Sequence, residues 1–254
     1  MPKFFVESEQ VENDLVQVFG KDVNHIKNVL RKKVGDEIEI CDASKAKDYL
    51  CEILSLNEET VVCQINEKLI KNSDSSIKVS ILQGLPKADK MELVIQKSVE
   101  LGVYDITPVD MKRCIVKIKD KDKKNERWQK ISEVAAKQCM RNIIPKINEI
   151  SSIKNICNLC DEYDIVIVAY ENENNNTLKK ELLNIKKIYE ENIDKNSDNE
   201  FKIAVLIGPE GGIDDSEISM LKKAGAKIVT LGKRILRTET VAFNILSIIM
   251  YEFE

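Results

Sequence analysis

Two short apolar runs near the carboxyl end, each closed by a glycine turn, restrict this chain more than any other feature. Ile203-Ala204-Val205-Leu206-Ile207 runs into Gly208-Pro209-Glu210-Gly211-Gly212, and Ile228-Val229-Thr230 runs into Leu231-Gly232. Runs this short, rich in β-branched residues and without polar alternation, read as strands of a parallel sheet buried on both faces. Parallel sheets collect ligands outside the carboxyl ends of their strands, where both glycine loops belong. Glycine admits positive φ there and lets bare backbone N–H and C=O groups approach a ligand.

The texture upstream agrees. The polar stretch 71–76 reads as a linker. After it, strand and helix patterns alternate, which argues an α/β sheet. A strand is expected at 79–82 and an amphipathic helix at 87–101, stopped by Gly102. Segments 106–109, 127–140, 146–150 and 153–160 follow, then a strand at 164–170. A polar loop (171–176), a helix (178–190), a second polar stretch (192–200) and a C-terminal helix (241–253) complete the pattern. Before the linker the rhythm is of short strands, at 4–6, 15–19, 37–42, 49–56 and 61–65, with turn residues at 34–36 and 57–59. One helix interrupts them, expected to open at Asn24 as its N-cap and to run to Arg31. Five short strands around a helix read as a small β-barrel. The expected domains are therefore 1–72 and 73–254.

Composition narrows the function classes. At 254 residues the chain holds one large domain or two smaller ones, and its 43% apolar content suffices for a core. No run approaches the eighteen or so apolar residues of a membrane helix, and the N-terminus is charged too early for a signal peptide. A cytoplasmic location is expected. Seven cysteines, an odd number scattered through apolar patterns, read as reduced core residues. Cys157-x-x-Cys160 lacks the second pair a zinc site needs. His25 is the sole histidine, so neither a Ser-His-Asp triad nor a histidine metal cluster is available, and no metal is expected. The net charge of −4 hides an asymmetry: −5 over 1–75, +6 over 76–145 and −5 over 146–254. A basic middle between acidic flanks suits a polyanion on one face, although charge runs are usually just solvated surface.

The two loops invite different ligands. The first has no Lys or Arg, and Glu210, Asp214 and Asp215 repel phosphate; an adenosyl group or a sulfonium cation suits it better, and an unliganded tight turn is the bland alternative. In the second, Leu231, Ile235 and Leu236 can wall an adenine while backbone groups near Gly232 and Ile235 read its edge. Thr238 is a candidate N-cap of the last helix. Arg237 and Glu239 are either a surface ion pair on that helix or active-site groups. Trp128 can stack a base, but its helical spacing with Ile131 favours the core.

"IGPEGG" and "LGKRILRTET" resemble the signature of the SPOUT-superfamily 16S ribosomal RNA uracil-N3 methyltransferases, the RsmE family. "NHIKNVLRKKVGDEIEI" is similar to its N-terminal motif, and "QGLPKADKMELVIQKSVELGV" (83–103), Lys112-Arg113 and "QCMR" (138–141) extend the likeness. Cys139 stands where the family usually has serine. The resemblance implies an α/β fold with a deep trefoil knot at its carboxyl end, and a PUA-like RNA-binding barrel before it. It implies S-adenosylmethionine as cofactor, held by Leu206, Ile207, Gly208, Pro209, Glu210, Gly211, Gly212, Leu231, Gly232, Ile235, Leu236, Arg237 and Thr238, with S-adenosylhomocysteine as product. Glu210, Arg237 and Glu239 are the catalytic candidates, the proton acceptor being either carboxylate. Lys3, Arg31, Lys87, Lys90, Arg113 and Arg141 are candidate RNA contacts. The expected partners are 16S rRNA in the 30S subunit and a second copy of the chain, joined through the knot domain. Three alternatives stay open: a SPOUT enzyme acting on a ribose 2′-OH or guanine N1, a non-catalytic RNA-binding assembly factor, and a phosphate-binding nucleotide enzyme.

Overall fold

The computed structural model describes residues 3–45, 47–69, 75, 77–195 and 200–253. The expected linker thus lies outside the described residues except for Ser75, as does 196–199 of the second polar stretch. The chain divides into two compact units, one of residues 1–74 with 133–144, the other of 75–132 with 145–254.

The first unit is built on β1 (Lys3–Val6), β2 (Val11–Glu12), β3 (Leu15–Phe19), α1 (Lys21–Asn24), β4 (Glu37–Asp42), β5 (Lys47–Leu56) and β6 (Thr60–Leu69). The strands form one sheet in the order β1-β4-β5-β6-β3-β2, and no pairing among the described residues closes it into a barrel. Alternation sends Val16, Val18, Val61 and Cys63 inward, where they join Phe4, Ile26, Ile38, Ile40 and Ile53 in one core.

The helix departs from expectation. It opens at Lys21 behind Gly20, whose φ of 70° turns the chain, and widens into a π-helical turn over His25–Val29. Asn24 lies inside the helix, where its side chain accepts a hydrogen bond from Asn28 at 2.6 Å instead of capping backbone. His25 packs edge-on against Phe4, the ring centroids 5.7 Å apart.

Segment 133–144 was expected with the second domain, yet it is tied into the first unit. The Lys3 ammonium is buried, 2.7 Å from an Asp48 carboxylate oxygen, and donates to the Met140 and Arg141 carbonyls at 3.1 and 3.4 Å. The Cys41 thiol donates to the Asn142 carbonyl, and Lys137 pairs with Asp22 at 3.0 Å.

The second unit holds β7 (Ile77–Gly84), α2 (Lys90–Glu100), β8 (Asp105–Asp110), most of α3 (Lys121–Gln138), β9 (Lys146–Ile147), β10 (Ser151–Ser152), α4 (Ile153–Asn158), β11 (Ile165–Ala169), α5 (Leu178–Lys195), β12 (Phe201–Ile207), α6 (Asp215–Lys223), β13 (Lys227–Val229) and α7 (Thr238–Phe253). Every strand pair is parallel, in the order β10-β8-β7-β12-β11-β13, with β9 beside β8. The all-apolar runs thus occupy the doubly buried positions they require. One arrangement was not foreseeable: β11 separates the two loop-bearing strands, pairing with β12 on one side and β13 on the other.

α2 buries Met91, Val94, Ile95 and Val99, and α7 buries Ala242, Ile245, Leu246, Ile249 and Met250, so the two helices pack on each other. α3 begins six residues before its expected start, because Asp120 accepts from the Lys123 N–H at 3.0 Å and starts the helix inside a charge run. Trp128, only 1% exposed, is core. No helix of the described residues is long and apolar enough to cross a membrane.

Candidate functional site

The carboxyl ends of β12, β11 and β13 lie side by side, and a cleft of about 610 Å³ opens over them. It is lined by 207–212 after β12, 169–171 after β11 and 230–238 after β13, with Lys90 and Val241. That volume is within the usual range for a small-molecule site, about 300–1,000 Å³.

Two glycines explain how the first loop fits. A Cβ on Gly84, at the end of β7, would stand 2.7 Å from Pro209, so only glycine lets the loop lie against that strand. Gly212 has φ 71°, closes its turn by donating to the Pro209 carbonyl at 2.9 Å, and a Cβ there would strike the Glu171 carboxylate. The loop then enters α6 through a capping box. Asp214 accepts from the Ser216 N–H at 3.1 Å, and Glu217 accepts in return from the Asp214 N–H at 3.3 Å. Hydrogen bonds from the Ser216 hydroxyl and backbone N–H, with Lys112 nearby, hold the Asp214 carboxyl down at about 2.

One hydroxyl joins the two loops. Thr238 Oγ1 donates to the Gly208 carbonyl at 2.7 Å and accepts from Gln83 Nε2 at 2.8 Å. Gln83 also donates to the Gly84 carbonyl at 3.0 Å. Both side chains are buried. The N-cap role expected of Thr238 is thereby corrected: Thr238 is the first residue of α7, and its hydroxyl is engaged between the loops.

The charged groups converge on Lys90. Its ammonium lies 2.9 Å from Glu210 Oε1 and 3.5 Å from Glu239 Oε2. Glu210 also accepts from the Lys87 backbone N–H at 3.0 Å. Burial pushes the Glu210 carboxyl up, but hydrogen bonds from Lys90, its own backbone N–H and that of Lys87 outweigh it, so the group titrates below the usual carboxylate range. The bond to Glu210, with Glu239 behind it, raises Lys90 above the usual lysine value. Glu210 lines the cleft; Glu239 does not, its side chain being 13% exposed behind Lys90. Arg237 lines the cleft and makes no ion pair among the described residues, so the surface pair with Glu239 is not formed.

Of the expected donor-binding residues, Ile207, Gly208, Pro209, Glu210, Gly211, Gly212, Leu231, Gly232, Ile235, Leu236, Arg237 and Thr238 line the cleft. Leu206 is corrected: one residue earlier on the strand, it points into the core at 0% exposure. Ile235 stands on the rim, 88% exposed. The expected RNA contacts scatter. Lys3 and Arg141 are corrected, since both are buried. Lys90 is committed to two carboxylates, whereas Arg31, Lys87 and Arg113 are exposed. The Arg113 guanidinium donates to the Gly211 carbonyl at 3.3 Å.

Sequence reasoning missed Gln83, Ala169, Tyr170, Glu171, Thr230 and Val241. A lone glutamine ending the buried run Val79-Ser80-Ile81-Leu82 was a usable signal for Gln83. Tyr170, which donates to Asp215 at 2.8 Å, and Glu171 carried none, because only the strand order brings their loop between the other two. Among the described residues no group of His, Cys, Asp and Glu is placed to hold a metal ion.

Residues 73–250 match the family described as RNA methyltransferase domain, and 20–66 match the RNA methyltransferase PUA domain. The chain is 35% identical to ribosomal RNA small subunit methyltransferase E of Bacillus subtilis, over 100% of this chain and 98% of that one. It is 34% identical to the protein of the same name from Mesomycoplasma hyopneumoniae, over 97% and 98% of the two. Among solved structures, the ribosomal RNA small subunit methyltransferase E of Neisseria gonorrhoeae bound to S-adenosyl methionine superposes with a TM-score of 0.81 at 28% identity, covering 99% of this chain and 97% of that one. A putative methyltransferase of Legionella pneumophila, in complex with bound S-adenosylmethionine, gives 0.80 at 28% identity, covering 98% and 96%.

Proposed function

The chain belongs to the ribosomal RNA small subunit methyltransferase E family, and on that premise we propose that it methylates N3 of one uridine in 16S rRNA. The observation that supports this reading best is the cleft itself, where two glycine loops are joined through Thr238.

The residues present fit S-adenosylmethionine. Ile207, Leu231 and Leu236 offer apolar walls for an adenine, beside the open backbone of Gly232. Glu171 presents a carboxylate with no ion pair among the described residues, suited to an ammonium or to ribose hydroxyls. When bound, the cofactor supplies a methyl carbon made electrophilic by its sulfonium, and the C–S bond breaks as the bond to the RNA forms.

The protein's own contribution is position and charge. Holding the acceptor nitrogen in line behind that carbon accounts for much of the acceleration such a site supplies. Uridine N3 carries a proton at neutral pH, which must leave as its new bond forms. Glu210, ionised over a wide pH range, accepts it in the cleft. Lys90 aims that carboxylate, and Glu239 aims Lys90. Arg237, unpaired at the rim, stabilises negative charge on a uracil carbonyl oxygen. The target base is unpaired or flipped out to expose N3. Arg31, Lys87 and Arg113 remain the candidate phosphate contacts.

The SPOUT resemblance extends the proposal to a threaded carboxyl-terminal segment and a cytoplasmic homodimer. Exposed Ile235 and the α7 face bearing Phe243, Ile248 and Tyr251 provide apolar surface for the second copy.

The test is methyl transfer from isotope-labelled S-adenosylmethionine to unmodified 30S subunits and to naked 16S rRNA, with nucleoside analysis of the product. Label in 3-methyluridine supports the proposal. Label in a 2′-O-methyl nucleoside or 1-methylguanosine transfers it to another RNA position, and RNA binding without label leaves an assembly factor.

A further inference from the structure

We infer that segment 112–119 is a track for the single-stranded RNA that flanks the base held in the cleft, with Lys117 and Lys119 taking phosphates and Ile115 a base or ribose face. The inference rests on the rRNA-methyltransferase reading and adds to it the surface along which the substrate runs.

Position is the first argument. The segment follows β8 and so leaves the sheet at its carboxyl edge, on the side of the cleft. It is fastened to the cleft's own loop. Arg113 donates to the Gly211 carbonyl at 3.3 Å, and its Cβ lies so near Gly211 that a Cβ there would be 3.1 Å away. The Lys112 backbone N–H donates to the buried Glu217 at 2.9 Å. A strand leaving the cleft past Gly211 therefore meets this segment next.

Side-chain direction is the second. Arg113, Ile115, Lys117 and Lys119 are exposed, while Cys114 is buried and Val116 and Ile118 are half-buried. Alternate residues anchor the segment and their neighbours face outward, although it belongs to no sheet. The outward row is cation, aliphatic, cation, cation, and Ile115 is 68% exposed within it. Proteins that hold single strands without reading sequence combine a basic groove with aromatic faces on which bases stack; here the exposed aliphatic Ile115 offers apolar contact in place of an aromatic.

Charge is the third. Segment 110–119 itself holds four cations and one carboxylate, Asp110, and Lys112 and Arg113 also lie 3.4 and 3.6 Å from Asp214 at the start of α6. Lys117 lies 3.2 Å from Asp110, but both side chains are largely solvated, and such a pair contributes little and yields readily to a phosphate. Lys119 makes no ion pair among the described residues. The outward row thus ends in two available cations, Lys117 in a solvated pair and Lys119 in none among the described residues, beside the site where a polyanion reacts.

The test is the salt dependence of binding to a labelled single-stranded oligoribonucleotide, read by fluorescence anisotropy. Each phosphate contact adds about 0.7 to the slope of log affinity against log salt. The double variant Lys117→Gln/Lys119→Gln is expected to lower that slope by about 1.4 while S-adenosylhomocysteine binding stays unchanged. Ile115→Ala should weaken binding at every salt concentration with the slope intact. Lys186→Gln/Lys187→Gln, removing the same charge from exposed positions on α5, is expected to leave the slope at the wild-type value. A slope unmoved by the first double variant, or lowered equally by both, overturns the track, as does a wild type that does not bind the oligonucleotide. If the track variants shift the slope but no methyl group is transferred, the reaction reading falls and the track stands; transfer with an unshifted slope is the reverse.

Discussion

Lys90 answers to two carboxylates and one cleft, and its chemistry decides how the site titrates. An ammonium 2.9 Å from Glu210 favours the ionised carboxyl. Removing it should let burial prevail and carry the Glu210 carboxyl upward. A proton acceptor must be ionised in the free enzyme, so the acid limb of kcat/KM marks its titration. Lys90→Gln should move that limb to higher pH and lower the plateau; an unmoved limb would exclude Glu210 as the acceptor. At this scale the chain was partly legible. Glu210 and Arg237 line the cleft. Glu239 does not, because helix geometry turns it behind Lys90, and no linear pattern encodes that. Lys90 looked like one more surface lysine, since its partners are more than a hundred residues away.

Elements meet through backbone groups that need partners, and here one threonine and one aspartate supply them. Thr238→Val keeps the shape but leaves the Gly208 carbonyl and the Gln83 amide without their bond. A loss of about 1–3 kcal/mol of stability is expected for a buried group left unsatisfied, together with weaker S-adenosylhomocysteine binding by calorimetry. Asp214 caps α6 with a carboxyl displaced from 3.8 to about 2. A group lowered on folding contributes stability that is complete above its unfolded value and lost as pH falls through the folded one. Asp214→Ala should therefore lower the thermal midpoint most above pH 3.8, with the gap to wild type narrowing toward about 2. Elements were legible where one signal acted alone, as in the apolar strands and at the Gly102 stop. They were misjudged where signals competed, as at Asn24, where the glycine turn before it starts the helix a turn earlier.

The whole molecule is two units whose membership does not follow chain order. The buried Lys3–Asp48 pair, with side chains 2% and 0% exposed, anchors segment 133–144 to the first unit through the Met140 and Arg141 carbonyls. Lys3→Met should cost about 3–5 kcal/mol, since it strands a buried carboxylate, and Lys3→Met/Asp48→Leu should recover most of it. Chemical denaturation measures both, and equal losses in the two variants would show that the cost does not come from the stranded carboxylate. Composition placed the domain boundary in the polar stretch but had no means to send a later segment back across it. Strand order was equally hidden, and it is what puts the β11 loop into the cleft.

We propose that the cleft above β12, β11 and β13 directs a methyl group to uridine N3 of small-subunit rRNA. Mass mapping of 16S rRNA nucleosides from cells with and without this protein decides it. One 3-methyluridine is expected to disappear when the protein is absent and to return with the wild-type chain but not with Glu210→Gln. An unchanged 3-methyluridine content in cells lacking the protein would contradict it.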